Sequence, residues 1–217
     1  MGLRLHRHRR FRGWLGRAFG GDEELGDRAW RRIMHTFGAA VIVYYFLPDG
    51  VFVLVPKFVV LLAALAVMIA LEVLRHLAGL ELPTIRPYEV HRVASFVFYS
   101  VSLVPAVLLF PLPIGAAIVL GTAIVDPVAG ELRSEEARPV VRLAVPLAAY
   151  GGLAFLGMVA IGGWPAGTSA LLAVAAAPLA VLAEWPKYPW VDDDLVMTMV
   201  PGFFLYAVGV LGLGLPR

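Results

Sequence analysis

Seven stretches of this chain are so rich in Leu, Val, Ala, Ile and Gly that a water-soluble fold has nowhere to put them. They run approximately Trp30–Leu47, Val51–Leu74, Val93–Phe110, Leu112–Val125, Val140–Ile161, Ala166–Ala183 and Leu195–Leu215. Most approach the roughly twenty residues that a helix needs to cross about 30 Å of hydrocarbon. A helix also lets one segment satisfy its own backbone hydrogen bonds inside lipid. The 217 residues are 60% hydrophobic and 16% charged, whereas soluble domains are usually about 45–50% apolar and about 25% charged. The pattern predicts an all-α, polytopic integral membrane protein with about seven transmembrane helices.

The connections Pro48-Asp49-Gly50 and Phe110-Pro111-Leu112-Pro113 read as tight turns, as does Gly162-Gly163-Trp164-Pro165, whose tryptophan suits a membrane interface. The fourth segment, Leu112–Val125, is short for a span. Three forms fit it: a tilted helix, one extended through the Pro113 turn, or a half-helix ending in a polar cavity.

Charge distribution orients the segments. Residues 1–32 hold nine arginines and four acids, and the first apolar run begins only near Ile33, which predicts no cleaved secretory signal. If seven segments alternate from a cytoplasmic N-terminus, the loops 75–92, 126–142 and 184–194 share its side. Only Lys57 and Arg217 among the 18 basic residues then lie opposite. An excess of Lys and Arg on the cytoplasmic side is the expected bias, so the predicted topology is N-in, C-out. Residues 1–29 form a basic cytoplasmic segment, in which Phe11, Trp14, Leu15 and Ala18 have the spacing of an interfacial amphipathic helix. Residues 30–217 form one membrane domain. All acids but Asp49 also fall on the cytoplasmic side, so chemistry is expected there.

Absent cysteines exclude disulfides and thiolate chemistry, and no His-x₃-His or His-Glu-x-x-His spacing signals zinc. Carboxylates at the edge of a membrane are costly unless solvated, paired or bound to a cation. Asp126-Pro127 follows an entirely apolar run and reads as a turn built beside an acid. Glu184, then Asp192-Asp193-Asp194, directly precede the last segment; helix capping uses one aspartate, and a cation site would use the surplus. Arg32 and His35 share a helical face, suited to gripping phosphate oxygens or to anchoring at the interface. Glu72/Arg75, Arg86/Glu89 and Glu89/Arg92 have the spacing of local ion pairs, and Glu89 is also a candidate functional acid. Glu135 and Glu136 read as a solvated run.

The order of these pieces resembles the polyprenol kinase family, which groups dolichol kinase, phytol kinase and the CTP-dependent diacylglycerol kinase and is distantly related to CDP-diacylglycerol synthases. The carriers are Arg32 and His35, Glu72 and Arg75, Arg86 and Glu89, Asp126 and Gly130, and Glu184 with Asp192, Asp193 and Leu195. The resemblance implies transfer of the γ-phosphoryl group of CTP to a long-chain lipid alcohol, with Mg²⁺. It implies a cation held by Asp126, Glu184, Asp192, Asp193 and Asp194. Phosphates would be neutralised by Arg32, His35, Arg86, Arg133 and Lys187, and Asp126 or Glu89 would accept the alcohol's proton. The chain departs from the family at Val125-Asp126-Pro127 and lacks its Lys-Ser-x-Glu-Gly element, for which Arg133 or Arg138 would substitute. The alternatives are a cytidylyltransferase making a CDP-lipid, and a non-catalytic membrane protein or transporter. Membrane lipids and a nucleoside triphosphate are the expected partners, nucleic acid is not, and a homo-oligomer is left open.

Overall fold

The computed structural model describes residues 23–51, 55–79, 85, 92–134, 137–183 and 192–216. Among these, the regular structure is seven α-helices, one 3₁₀ stretch, two π-helical turns and one two-stranded hairpin. Helix α1, Glu23–Phe37, continues without a break into a 3₁₀ stretch, Gly38–Phe46. The 3₁₀ form rises about 2.0 Å per residue against about 1.5 Å for an α-helix, so this apolar stretch reaches further than α-helix would. Glycine at 38 is needed for packing: a Cβ there would collide with the Tyr99 ring. The hairpin pairs Gly50–Val51 (β1) with Val55–Pro56 (β2) in antiparallel register.

Helix α2 spans Lys57–Ala78 and stops at Gly79, whose left-handed φ of 57° lets its N–H bond to the Arg75 carbonyl. Helices α3 (Ser95–Leu109), α4 (Leu112–Ser134), α5 (Pro139–Leu156), α6 (Ala166–Ala183) and α7 (Asp193–Leu205) follow. Helix α5 is prolonged by a π-helical turn, Gly157–Ile161, and α7 by another, Tyr206–Gly212. With these extensions, five helices among the described residues are long and apolar enough to cross a membrane: Lys57–Ala78, Leu112–Arg133, Pro139–Ile161, Ala166–Ala183 and Asp193–Gly212. The segment Ser95–Leu109 is apolar but shorter. Segments expected at Trp30–Leu47 and Val93–Phe110 therefore take other forms, one part α and part 3₁₀, the other a 15-residue helix.

Helix α4 is the central post. It packs against α1, the 3₁₀ stretch, α3, α5 and α7, and Ile114, Ile118, Val119 and Val125 on it are fully buried. A seam of small residues on α6 (Ala173, Ala176, Ala177, Ala180) is buried, at the spacing of one helical face. In lipid, where the hydrophobic effect does not drive helices together, such small residues permit the close packing that does. Gly157 shows the limit of closeness, since a Cβ there would lie 2.7 Å from the Ala117 nitrogen of α4. Helix α2 is the opposite case, with only 6% of its span buried; it touches the bundle chiefly through α3.

Two expectations are corrected. Asp126-Pro127 is not a turn: α4 runs through it to Ser134, so the fourth segment is a full-length helix of 23 residues. Proline removes one backbone donor, and Val128, Ala129, Glu131 and Leu132 resume the helix beyond it. Trp164 does not face outward; it is 2% exposed, and its Nε1 donates to the Pro216 carbonyl at 2.9 Å.

Candidate functional site

The three aspartates at the start of α7 have separate duties. Asp192 is the N-cap, its Oδ1 accepting the Asp194 N–H at 3.2 Å. Asp193 and Asp194 occupy the first turn, where unpaired backbone donors favour negative charge. Asp194 is buried, and Asp192 and Asp193 line a cavity beside it. Burial, together with the adjacent Asp193 and the Asp126 charge, pushes the Asp192 carboxyl up to about 7.

Helix α4 is locked to α7 one turn below the acids. Thr198 Oγ1 approaches Thr122 Oγ1 at 3.1 Å, and it also donates to the Asp194 carbonyl at 2.7 Å. Thr122 and Asp126 are four residues apart on α4, as Asp194 and Thr198 are on α7. Residues four apart lie one above the other on a helix, so the threonine rung sets the two carboxylates facing each other. His35, in the last turn of α1, completes the group. Its Nε2 lies 3.6 Å from Asp126 Oδ2 and 3.5 Å from Asp194 Oδ1. One ligand atom from each of His35, Asp126 and Asp194 falls within 4.8 Å of the other two. Tyr99 fixes the histidine: its ring stacks at 3.8 Å between centroids, and its hydroxyl donates to the His35 carbonyl at 2.6 Å.

Two cavities meet at this cluster. The larger, about 620 Å³, is lined by His35, Asp126 and the three aspartates of α7, and by Arg31 and Arg133. Its apolar walls come from α2 (Leu61, Leu65, Met68), the 3₁₀ stretch (Val41) and α3 (Leu103, Val104). The smaller, about 240 Å³, is lined by Arg28, Arg31, Arg32 and Arg133 together with His35 and Asp126. Arg32 forms an ion pair with Glu131 across the rim. The arrangement thus offers a cation-binding set of donors with an apolar trough on one side and a basic recess on the other.

Of the residues singled out from sequence, Arg32, His35, Asp126, Arg133, Asp192, Asp193 and Asp194 all line one or both cavities. Arg86, Glu89, Glu184 and Lys187 lie outside the described residues, as do residues 1–22 and the Glu135–Glu136 run. Glu72 and Arg75 form a buried pair that is not among the residues lining these two cavities, with Arg75 Nε and Nη2 donating to the two carboxylate oxygens at 2.8 and 2.7 Å. Sequence reasoning noted Arg31 beside Arg32 at the helix entry without giving it a site role, and it missed Arg28 and Tyr99. The arginines carried a signal, because residues 28, 31 and 35 have the spacing of one helical face. Tyr99 carried none, being one aromatic in an apolar run. No family model matches the chain, and no curated protein or solved structure shows significant similarity to it.

Proposed function

We propose that the protein is a lipid-alcohol kinase that transfers the γ-phosphoryl group of a nucleoside triphosphate, CTP by the family resemblance, to a long-chain dolichol-like or polyprenol-like alcohol. The observation that carries this reading is the junction of the two cavities at His35 and Asp126, with Asp194 beside them in the larger one. The apolar trough suits a hydrocarbon chain whose hydroxyl rests at the carboxylates. The arginine recess suits the triphosphate, since guanidinium groups pair with phosphate oxygens in a planar, two-pronged way.

The donor set fits a divalent cation, Mg²⁺ in the sequence-based expectation, which when bound would neutralise charge on the transferring phosphoryl group. The alcohol oxygen attacks the γ-phosphorus, the bond to the β-bridging oxygen breaks, and lipid phosphate and CDP result. The alcohol's proton passes to a carboxylate, Asp126 or Glu89. Arg28, Arg31 and Arg133 orient the phosphates, and Arg32 joins them if it exchanges Glu131 for a phosphate oxygen. In the proposed topology all this lies at the cytoplasmic face of a seven-segment, N-in, C-out protein, for which the basic-residue distribution is the support.

The arginine recess also favours a second reading, in which a lipid phosphate attacks the α-phosphorus of CTP and pyrophosphate leaves. Purified protein incubated with CTP labelled at either the α or the γ phosphorus, and with a panel of lipid alcohols and lipid phosphates, separates the two. The γ label in lipid supports the kinase, the α label supports the cytidylyltransferase, and no label in any lipid refutes both.

A further inference from the structure

We propose that His35 is a metal ligand and that, with Asp126 and Asp194, it forms a mixed imidazole–carboxylate site binding a divalent first-row transition-metal ion in preference to Mg²⁺. The inference rests on the reading of this pocket as a cation site, and it is independent of which lipid reaction follows.

Geometry is the first support. Around one ion with bonds of about 2.0–2.2 Å and angles of about 90–110°, donor atoms sit about 2.8–3.6 Å apart. The His35 Nε2 lies 3.6 Å from Asp126 Oδ2 and 3.5 Å from Asp194 Oδ1, at the outer edge of that range. The three donors come from three different helices, α1, α4 and α7, so the group is a product of the fold rather than of a local charge run.

The second support is preorganisation. Ligating histidines work best when other groups fix the ring. Here the Tyr99 ring stacks against the imidazole, the Tyr99 hydroxyl holds the His35 backbone, and Gly38 leaves room for both. The threonine rung below ties together the helix turns that carry Asp126 and Asp194.

The third is charge and donor type. Two carboxylates and a neutral imidazole cancel a 2+ ion, which lowers the cost of holding it at a partly buried position. Mg²⁺ prefers all-oxygen octahedra and keeps several waters, whereas imidazole nitrogen favours first-row transition metals. Asp192 and Asp193 line the cavity that also contains this group.

The test is a titration of the purified full-length protein, free of affinity tag, in detergent with Mn²⁺, followed by electron paramagnetic resonance and with no nucleotide present. One Mn²⁺ per chain should bind, and Mg²⁺ should displace it only at tenfold excess or more. Bound Mn²⁺ should show coupling to one histidine nitrogen, which shifts to the ¹⁵N frequency when the protein carries ¹⁵N-labelled histidine. His35→Asn should weaken Mn²⁺ binding tenfold or more and abolish the nitrogen coupling, with a thermal unfolding profile in chelator like that of the parent. The isotope measurement needs no variant and stands if His35→Asn fails to fold. Equal affinity for Mg²⁺ and Mn²⁺, absence of nitrogen coupling, unchanged coupling in His35→Asn, or no bound Mn²⁺ would each overturn the proposal. Nitrogen-coordinated Mn²⁺ in a protein that labels no lipid would uphold this site and refute the kinase reading alone.

Discussion

Arg75→Met tests how the otherwise lipid-facing helix α2 is held in place. Glu72 and Arg75 are 6% and 5% exposed on a helix whose span is almost wholly unburied. Arg75 donates to both carboxylate oxygens of Glu72, and its Nη2 also donates to the Arg92 carbonyl at 2.6 Å. Glu72 Oε1 in turn accepts the Ala94 N–H at 2.9 Å, which ties the end of α2 to the start of α3. Arg75→Met removes these guanidinium contacts and leaves a buried carboxylate with one backbone donor and His76 Nδ1 at 3.5 Å. Breaking one side of a buried pair costs about 3–5 kcal/mol. For a chain of this size that corresponds to a fall of roughly 6–20 °C in apparent Tm. The double variant Glu72→Leu/Arg75→Met removes the stranded charge and should recover at least about 2 kcal/mol of the loss, because apolar replacement of a whole buried pair is often near neutral. Thermal unfolding in detergent, followed by tryptophan fluorescence, gives the order. A double variant as unstable as Arg75→Met would show that an uncompensated charge is not what the arginine prevents.

Three further outcomes are expected. Thr198→Val keeps the side-chain shape but removes the α4–α7 rung; it should cost about 0.6–1.7 kcal/mol, as interhelical hydrogen bonds in membranes do, while lowering lipid phosphorylation by a larger factor. The Asp192 carboxyl, raised to about 7 from an ordinary 3.8, favours the folded state fully below about pH 3.8, and that contribution is lost as pH rises through about 7. Melting of the chelator-treated protein should therefore show a stability loss between about pH 4 and pH 7 that Asp192→Asn, which retains a capping oxygen, flattens. A reporter fused after Arg217 should lie outside the cytoplasm and one inserted near Glu135 inside it; finding both on one side would refute the seven-segment topology.

The legible part of the fold was its length scale. Runs such as Lys57–Ala78 and Ala166–Ala183 are apolar over a full membrane thickness, and no soluble alternative competes. Less legible were the places where the backbone departs from that scheme. In Gly38–Phe46 every residue is apolar or aromatic, so no periodicity distinguishes 3₁₀ from α. At Pro127 the local rule for ending a helix does not hold: α4 runs through it, with Val125 before it and Ala129 after it both buried. The candidate site divides in the same way. Alternation of segments put Asp126 and the aspartate triplet on one face, and the structure brings Asp126 and Asp194 together. That His35 lies between them was hidden, because its partners are about 90 and 160 residues away and no metal-binding spacing exists in the chain.

The most direct measurement is transfer of label from γ-labelled CTP to a long-chain polyprenol by the purified protein and by Asp126→Asn. Asparagine nearly preserves volume and removes the charge at the junction of the two cavities. Glu135→Gln, in the charged run read as solvated, is the control and should retain near-parental transfer. The expected result is labelled polyprenyl phosphate from the parent and a loss of about 10²–10³ in rate for Asp126→Asn, with little change in thermal unfolding. Transfer by Asp126→Asn at the parental rate, or none by the parent with any alcohol, would contradict a phosphoryl-transfer site at His35, Asp126 and Asp194.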